Sequence, residues 1–316
     1  MHSFRARGFH PAPDVLLRRL LDTDTTARTG NSESGRRLEL RGADGIALVA
    51  DAHGDPSSPP VLLLHGGGQT RHAWGATASK LAAAGFYAVT LDHRGHGESA
   101  WATDGDYEIT SFAADILEVA SALPSRPALV GASLGGIASM ICEHTHPIAT
   151  AVVLVDITPR MDPEGVQRIV GFMNAHPDGF ATIDEAADAI SAYLPHRPRR
   201  TDTSGLGKNL RLGDDGRWRW HWDPQFLSGS PRSSHEHYPE RMNAAARSLS
   251  VPTLLVRGRM SEIVSEEGVR EFLEMVPHAE YVDVEDASHM VAGDRNDLFC
   301  DAVIEFLTRV LTPARR

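Results

Sequence analysis

The sequence predicts an α/β fold, a doubly wound and mostly parallel sheet with one helical lid inserted into it. Short, uninterrupted apolar runs such as VLLL in 61–68 and VVLV in 151–156 are typical of strands buried on both faces. These runs alternate with helix-like stretches of about ten residues or more, which favours right-handed βαβ crossovers. The alternation stops at about residue 159 and resumes at VPTLLVRG, 251–258. A helical insertion within one sheet is the simplest account.

The chain begins with a segment that does not fit this alternation. Residues 1–35 are predicted to be an N-terminal extension, with DVLLRRLL (14–21) able to form one amphipathic helix before a polar linker. RLELRGADGIALVADAHG (37–54) then alternates apolar and polar residues around Asp44-Gly45. This pattern predicts a β-hairpin with a tight turn.

The remaining elements follow from the same patterns. Before the insertion we expect a helix through about 74–84, a strand at 86–92, a helix around 110–122, a strand at 128–131, a helix at 134–145 and a strand at 151–156. After it we expect a strand at 251–258, a helix at 265–275, a strand at 279–285 and a helix at 294–310. The predicted domains are a core of 36–158 and 248–316 and a helical lid of 159–247.

Composition limits the classes of partner. The 316 residues are 41% hydrophobic and carry a net charge of −11, which argues against binding to nucleic acid or to an anionic membrane. No apolar run approaches the roughly 20 residues that cross a bilayer, and the N-terminus lacks a secretory pattern, so we expect a cytoplasmic protein. Cys142 and Cys300 are predicted to be buried thiols, without a disulfide or a metal. Whether the protein forms a homo-oligomer is left open by the sequence.

One short stretch carries the strongest chemical signal. In GASLGG, Ser133 is flanked by small residues in the pattern G-x-S-x-G, between a strand-like run and a helix-like segment. An abrupt turn from strand to helix forces the serine into a strained conformation, and a Cβ at the flanking positions would collide with neighbouring elements. A small-residue turn without chemistry is the alternative. The pattern predicts a nucleophilic serine if the chain supplies its partners.

The loop His65-Gly66-Gly67-Gly68 follows a predicted strand directly. Its glycines allow the backbone to approach a ligand and to direct N–H groups at it. We therefore predict an oxyanion hole made by the N–H groups of Gly67 and Leu134, with Gly68 as a second candidate. His65 is predicted to brace the loop.

A serine nucleophile also needs a base and an acid that orients it. His289 lies in the loop after the last predicted strand and is the predicted general base. Glu262, just past the strand at 251–258, fits the chain order serine, acid, histidine and is the predicted acid. Asp156, at the end of its own strand, is the main rival, and Asp283 and Asp286 are weaker ones.

Three tryptophans at alternate positions lie within the insertion, at Trp218, Trp220 and Trp222. So many large rings are not expected in an exposed loop, so they must cover apolar surface. They are predicted either to pack the insertion on the core or to line a substrate pocket. Which of them faces the pocket stays open.

HGGG, LDHRGHGES (91–99), GASLGG, RGRMSEIV and ASHMVAGD, in this order, resemble the α/β-hydrolase superfamily with a helical lid, over about 37–312. The resemblance implies a serine esterase or lactonase that needs no metal or organic cofactor and acts on an apolar, aromatic or macrocyclic small molecule. Hydrolysis of C–C bonds in vinylogous diketones is an alternative, and a non-catalytic binding protein another. It also implies that LDHRGHGES is structural. In the family the acid is more often Asp than Glu, so Glu262 departs from the pattern.

Overall fold

The computed structural model describes residues 35–195, 199, 201–228, 238–285, 287, 289 and 296–311. All of them belong to one compact unit. The predicted extension at 1–35 lies outside the described residues except for Gly35, so its predicted helix stays a prediction.

One sheet of eight strands organises the described chain, in the spatial order β1-β2-β4-β3-β5-β6-β9-β10. Its strands are β1 Arg36–Arg41, β2 Ala47–His53, β3 Pro60–Leu64, β4 Tyr87–Leu91, β5 Ala128–Ala132, β6 Val152–Val155, β9 Thr253–Gly258 and β10 Glu280–Val284. Strand β2 is antiparallel to both of its neighbours, and all other pairs are parallel. This mostly parallel sheet confirms the predicted fold class. Its parallel strands are the continuous apolar runs of the sequence.

The hairpin at the start of the sheet has the predicted turn. Residues Ala43–Gly45 form a short 3₁₀ turn between β1 and β2, which pair in antiparallel register. Asp44 and Gly45 both have positive φ, at 57° and 77°. Such a turn suits Asp-Gly, because these residues tolerate the left-handed region.

Apolar cores lie on both faces of the sheet. In β3, Val61 and Leu63 pack in one core layer and Leu62 and Leu64 in the other, as the two-residue period of a strand requires. Helices α1 Gly75–Ala83 and α9 Asn296–Leu311 cover the first layer, and α2 Ile109–Ala122, α3 Leu134–Thr145, α7 Tyr238–Ser248 and α8 Glu266–Met275 cover the second.

The two cysteines lie in these different layers. Cys142 is in the layer covered by α2 and α3, and Cys300 is in the layer covered by α1 and α9, so both thiols are buried and no disulfide joins them. Among the helices of the described residues, none combines the length and the apolar character needed to cross a membrane.

The insertion, residues 159–247, adds no strand to the large sheet within its described part. It contains α4 Pro163–Asn174, α5 Ile183–Tyr193, β7 Leu210–Leu212, β8 Trp218–Trp220, α6 Gln225–Ser228 and α7. The insertion contains the expected helices, but β7 and β8, which were not expected, pair in a separate two-stranded sheet. Alternation of Trp218 and Trp220 with charged neighbours suits a strand better than a helix. The role of the insertion as a lid stays a prediction.

Candidate active site

Ser133 lies at the abrupt turn between β5 and α3. Its backbone has φ 45° and ψ −112°, a region that non-glycine residues rarely occupy. A Cβ at Gly131 would lie 2.5 Å from backbone atoms of Gly135, and a Cβ at Gly135 would lie 2.4 Å from the carbonyl oxygen of Leu64. The small residues around the serine are therefore required by close backbone packing, as the sequence predicted.

The carboxyl ends of the parallel strands form one edge of the sheet, called here the rim. Ala132 at the end of β5 pairs with Val155 at the end of β6, and the Ser133 N–H donates to the Val155 carbonyl at 3.2 Å. Ser133 and Asp156 are therefore neighbours across two adjacent strands. Asp156 also has positive φ, at 50°, so both residues depart from the strand direction at the same level.

Asp156 is fully buried and accepts three hydrogen bonds. His289 Nδ1 lies 2.7 Å from Oδ2, the Ser261 hydroxyl donates to the same oxygen at 2.6 Å, and the Gly258 N–H donates to Oδ1 at 3.1 Å. A carboxylate accepts only, so His289 must donate through Nδ1–H, which leaves Nε2 as its unprotonated nitrogen. This arrangement fixes the tautomer and the orientation that a general base needs.

The structure gives this position to Asp156 and not to Glu262, so the expected pairing of Glu262 with His289 was wrong. The Glu262 side chain is 28% exposed and lies 3.3 Å from Arg168 of α4, in an ion pair on the surface. The loop after β9 does reach the site, but through Ser261. Its hydroxyl accepts from the N–H groups of Ile263 and Val264 and donates to Asp156.

The HGGG loop, His65–Gly68, lies beside Ser133. A Cβ built on Gly66 would be 3.4 Å from the Cβ of Ser133. The Gly66 N–H donates to Gln69 Oε1 and the Gly68 N–H donates to His96 Nε2, whereas the Gly67 N–H has no acceptor among the described residues. Leu134 is the first residue of α3, where an N–H has no acceptor within the helix. Gly67 and Leu134 thus keep the donors that an oxyanion hole needs, and Gly68 does not.

The predicted brace at His65 is present in the structure. Its ring is fully buried, with Nδ1 2.8 Å from the Gly66 carbonyl and Nε2 accepting the His93 N–H at 3.1 Å. Burial lowers the pKa of His65 to about 4, so the ring is neutral near pH 7 and donates through Nδ1–H. The Gly66 carbonyl shares its peptide unit with the Gly67 N–H, so this bond orients the candidate donor.

The DHRGHGES loop, residues 92–99, is held by the ion pairs of two buried arginines and carries two further histidines. Arg94 binds both carboxylate oxygens of Asp115, at 2.7 and 2.8 Å. Arg71 pairs with Asp92 and Glu98 at the two ends of the loop. These contacts give it the structural role that the resemblance implied, and they fix it next to the HGGG loop.

An apolar wall faces the HGGG loop from the insertion. Phe226 ring atoms lie 3.6 Å from a Cβ placed on Gly67. Met173 Cε and a Trp222 ring carbon lie 3.0 and 3.4 Å from a Cβ placed on Gly68. These three uncharged side chains therefore lie against the HGGG loop, Phe226 at Gly67 and the other two at Gly68.

The three tryptophans have different positions. Trp222 lies on the HGGG loop, and Trp220 stacks behind it with ring centroids 5.1 Å apart. Trp218 is half-buried and bonds through its backbone to Phe180 within the insertion. Trp222 contacts the HGGG loop at Gly68. A substrate-binding role for all three tryptophans stays a prediction.

Sequence reasoning missed four residues of this site. Phe226 and Met173 are single apolar residues in short helical segments, and nothing in the pattern separates them from core positions. Ser261 and His221 are polar residues whose partners lie far away along the chain. Only Ser261 had a signal, because it lies in the loop after β9, next to the predicted acid Glu262.

No cluster of three potential metal ligands is present in the part of the chain that the structure describes. Four buried histidines, His65, His93, His96 and His221, form a chain of ring contacts with centroids 4.6 to 5.8 Å apart. His65, His96 and His221 each place both ring nitrogens on backbone groups of the two loops. The rings therefore connect loops.

The comparisons with known proteins agree with this fold. The family model described as the alpha/beta hydrolase fold matches residues 59–295. The Mycobacterium tuberculosis protein named Esterase Rv0045c is 31% identical over 264 residues, which cover 81% of this chain and 83% of that protein. The 3-hydroxybutyrate-oligomer hydrolase of Cupriavidus necator is 27% identical, over 75% of this chain and 84% of that protein.

Solved structures support the same fold. The crystal structure of an E-2-(acetamidomethylene)succinate hydrolase superposes with a TM-score of 0.75 at 23% identity. It covers 86% of this chain and 99% of that chain. At this identity the match supports the fold alone, whereas the two sequence relatives above are named as an esterase and a hydrolase.

Proposed function

Since this chain belongs to the α/β-hydrolase fold family, we propose that it is a serine hydrolase that cleaves a carboxylic ester or lactone through an acyl-serine. The observation that carries the proposal is the 2.7 Å bond between His289 and the buried Asp156, one strand away from the strained Ser133. The family and its esterase-named relative support hydrolysis, and this arrangement supplies the residue types that acyl transfer needs.

Each residue has a definite task in this mechanism. His289 Nε2 removes the proton of Ser133 as its hydroxyl attacks the carbonyl carbon, and Asp156 holds the ring and stabilises its charged form. The Gly67 and Leu134 N–H groups stabilise the oxyanion, and His289 then protonates the leaving alcohol. A water molecule, deprotonated by the same ring, hydrolyses the acyl-serine and restores the enzyme.

The substrate of this proposal is uncharged and apolar near the reacting carbonyl. Phe226, Met173 and Trp222 lie against the HGGG loop, and the insertion that carries them acts as a lid over the serine. Two arginines of the insertion have carboxylate partners, since Arg168 pairs with Glu262 and Arg160 pairs with Glu267 and Glu271. An aromatic or macrocyclic ester or lactone fits this wall better than a dicarboxylate.

The test combines covalent labelling with turnover. A fluorophosphonate probe labels the wild type, and Ser133→Ala abolishes both labelling and hydrolysis, with kcat lowered roughly 10⁴- to 10⁶-fold. Ser139→Ala is the matched control, because this buried serine on the same helix only donates to the Gly135 carbonyl. We expect the probe to label Ser139→Ala at the wild-type level.

The chemical class is tested with a substrate panel. Aryl esters of increasing acyl length, a macrolactone and a dienone ring-fission product are compared by kcat/KM. We expect turnover of apolar esters or of the lactone. Turnover of the dienone alone would replace ester hydrolysis by C–C hydrolysis, and absence of both labelling and turnover would overturn the enzymatic proposal.

A further inference from the structure

We infer that two buried histidines, His96 of the DHRGHGES loop and His221 of the insertion, hold the HGGG loop at Gly68 and thereby position the oxyanion donor at Gly67. The inference rests on the proposed function, because it assigns a task within that reaction. His96 and His221 are positioning residues here, since neither touches the reacting atoms.

Gly68 is bonded on both of its peptide groups by an imidazole. Its N–H donates to His96 Nε2 at 3.2 Å, and its carbonyl lies 3.3 Å from His221 Nε2. Gly68 has φ 73°, so the backbone turns sharply here, one residue after the donor. The Gly68 N–H belongs to the peptide that links Gly68 to Gly67. Holding Gly68 at both of its groups therefore also fixes this peptide.

The hydrogen-bond partners determine the tautomer of each ring. His96 Nδ1 lies 3.0 Å from the Arg94 carbonyl and must donate, so Nε2 is free to accept the Gly68 N–H. His221 Nδ1 accepts the Gly97 N–H at 2.7 Å, so Nε2 carries the proton that it donates to Gly68. Both assignments require neutral rings.

Burial keeps these rings neutral. Both are almost fully buried, and burial lowers the pKa of His96 to about 3 and the pKa of His221 well below its ordinary value. Protonation would place an N–H of His96 against the Gly68 N–H, and an N–H of His221 against the Gly97 N–H. The network therefore holds near pH 7.

His221 also connects the insertion to the core. Through Gly97 it is tied to the DHRGHGES loop, and Arg211 of β7 donates to the Gly97 carbonyl. Its neighbour Trp222 packs on Gly68. The insertion thus contributes to the geometry of the oxyanion site as well as to the apolar wall.

Two substitutions at one position separate the two bonds of His221. Glutamine can place an amide N–H near the position of Nε2, which keeps the donor to Gly68. Asparagine can place its oxygen near the position of Nδ1, which keeps the acceptor for Gly97. Each variant loses one buried hydrogen bond, so we expect the two to lose thermal stability to a similar extent.

Catalysis should differ between the two variants. His221→Asn lowers kcat about 10- to 100-fold with KM within about threefold, less than the 10²- to 10³-fold seen when an oxyanion donor itself is removed. His221→Gln stays within about threefold of the wild type. His176→Asn, at an exposed histidine of the same insertion, is the control and leaves kcat unchanged.

Several results would overturn the inference. Equal kcat losses in both His221 variants, or losses that follow their melting temperatures, would show that His221 acts only through stability. A change confined to KM would assign it to substrate binding. With wild-type turnover and labelling intact, these results leave the proposed function standing, whereas a wild type that is neither labelled nor active overturns both.

Discussion

The rim of the sheet and the insertion fix their side chains in different ways. At the rim, Asp156 is fully buried and three donors occupy its two oxygens. In the insertion, Phe226 and Met173 reach the HGGG loop only through apolar contacts. Hydrogen bonds define an angle and a distance, whereas apolar contacts tolerate changes of shape. The rim should therefore set the rate of the chemical step, and the apolar side chains of the insertion should set the choice of substrate.

The strongest test of this comparison is to replace each of the two acids, in separate variants, by its amide. Asp156→Asn removes the charge that orients and stabilises the His289 ring, so we expect kcat to fall roughly 10³- to 10⁴-fold. Glu262→Gln disturbs only a partly exposed ion pair with Arg168, and such pairs contribute about 0–1 kcal/mol. We expect its kcat to stay within about twofold. Steady-state kinetics on one aryl ester measures both variants.

A kcat for Glu262→Gln that is lower than that for Asp156→Asn would contradict the assignment. Asp156→Asn must also remain folded for the result to count, which near-ultraviolet circular dichroism and fluorophosphonate labelling of Ser133 establish. Slow but detectable labelling is the expected result, because the serine and the oxyanion donors stay in place.

The apolar wall of the insertion should affect selectivity more than rate. Phe226→Ala removes the ring beside Gly67, so kcat/KM for aryl or long acyl esters should fall about 5- to 50-fold relative to acetyl esters. Phe172→Ala is the matched control, because this half-buried ring of the same insertion stacks on Tyr193 at 4.3 Å. It should leave the ratio unchanged.

If Phe226→Ala lowers kcat/KM equally for all esters, this ring supports the rim and does not set the choice of substrate. The division of tasks between the rim and the insertion would then be wrong at Phe226. Phe226 also packs on His96, with ring centroids 4.7 Å apart. A kcat/KM ratio across acyl lengths, measured at one temperature, separates the two roles.

The fold and the serine turn could be predicted because their signals are local. A buried parallel strand is a continuous apolar run, and the backbone collisions at Gly131 and Gly135 leave a pattern within five residues. The N–H groups of Gly67 and Leu134 could be proposed for the same reason. In each case the residue and the structural requirement lie next to each other along the chain.

The acid could not be predicted in this way, because the three-dimensional arrangement of the strand ends determines which carboxylate reaches His289. Asp156 and Glu262 both follow a strand, and both fit the required chain order. The Asp156 backbone turns at φ 50° and its carboxylate binds His289, whereas Glu262 pairs with Arg168. Side-chain direction at a strand end depends on one backbone angle that the sequence pattern does not reveal.

The smallest expected effect concerns Ser261, the part of the loop after β9 that reaches the rim. Its hydroxyl donates to Asp156 Oδ2 at 2.6 Å, on the oxygen that also holds His289, and accepts from the Val264 N–H at 3.0 Å. Ser261→Ala removes one of three donors, so Asp156 loses orientation but keeps its charge. We expect kcat to fall about three- to tenfold with KM unchanged, since a hydrogen bond to a charged group contributes about 1.5–3 kcal/mol and two donors remain.

Ser265→Ala is the matched control for that variant. The Ser265 hydroxyl accepts the Gly268 N–H at the start of α8, so its loss should cost about 1 kcal/mol of stability and leave kcat unchanged. If Ser261→Ala resembles Ser265→Ala, with a lower melting temperature and an unchanged kcat, then Gly258 and His289 suffice to orient Asp156. The loop after β9 would then support the fold and contribute nothing to the rate. The bonds of Gly258 and His289 to Asp156 would then not depend on the bond from Ser261.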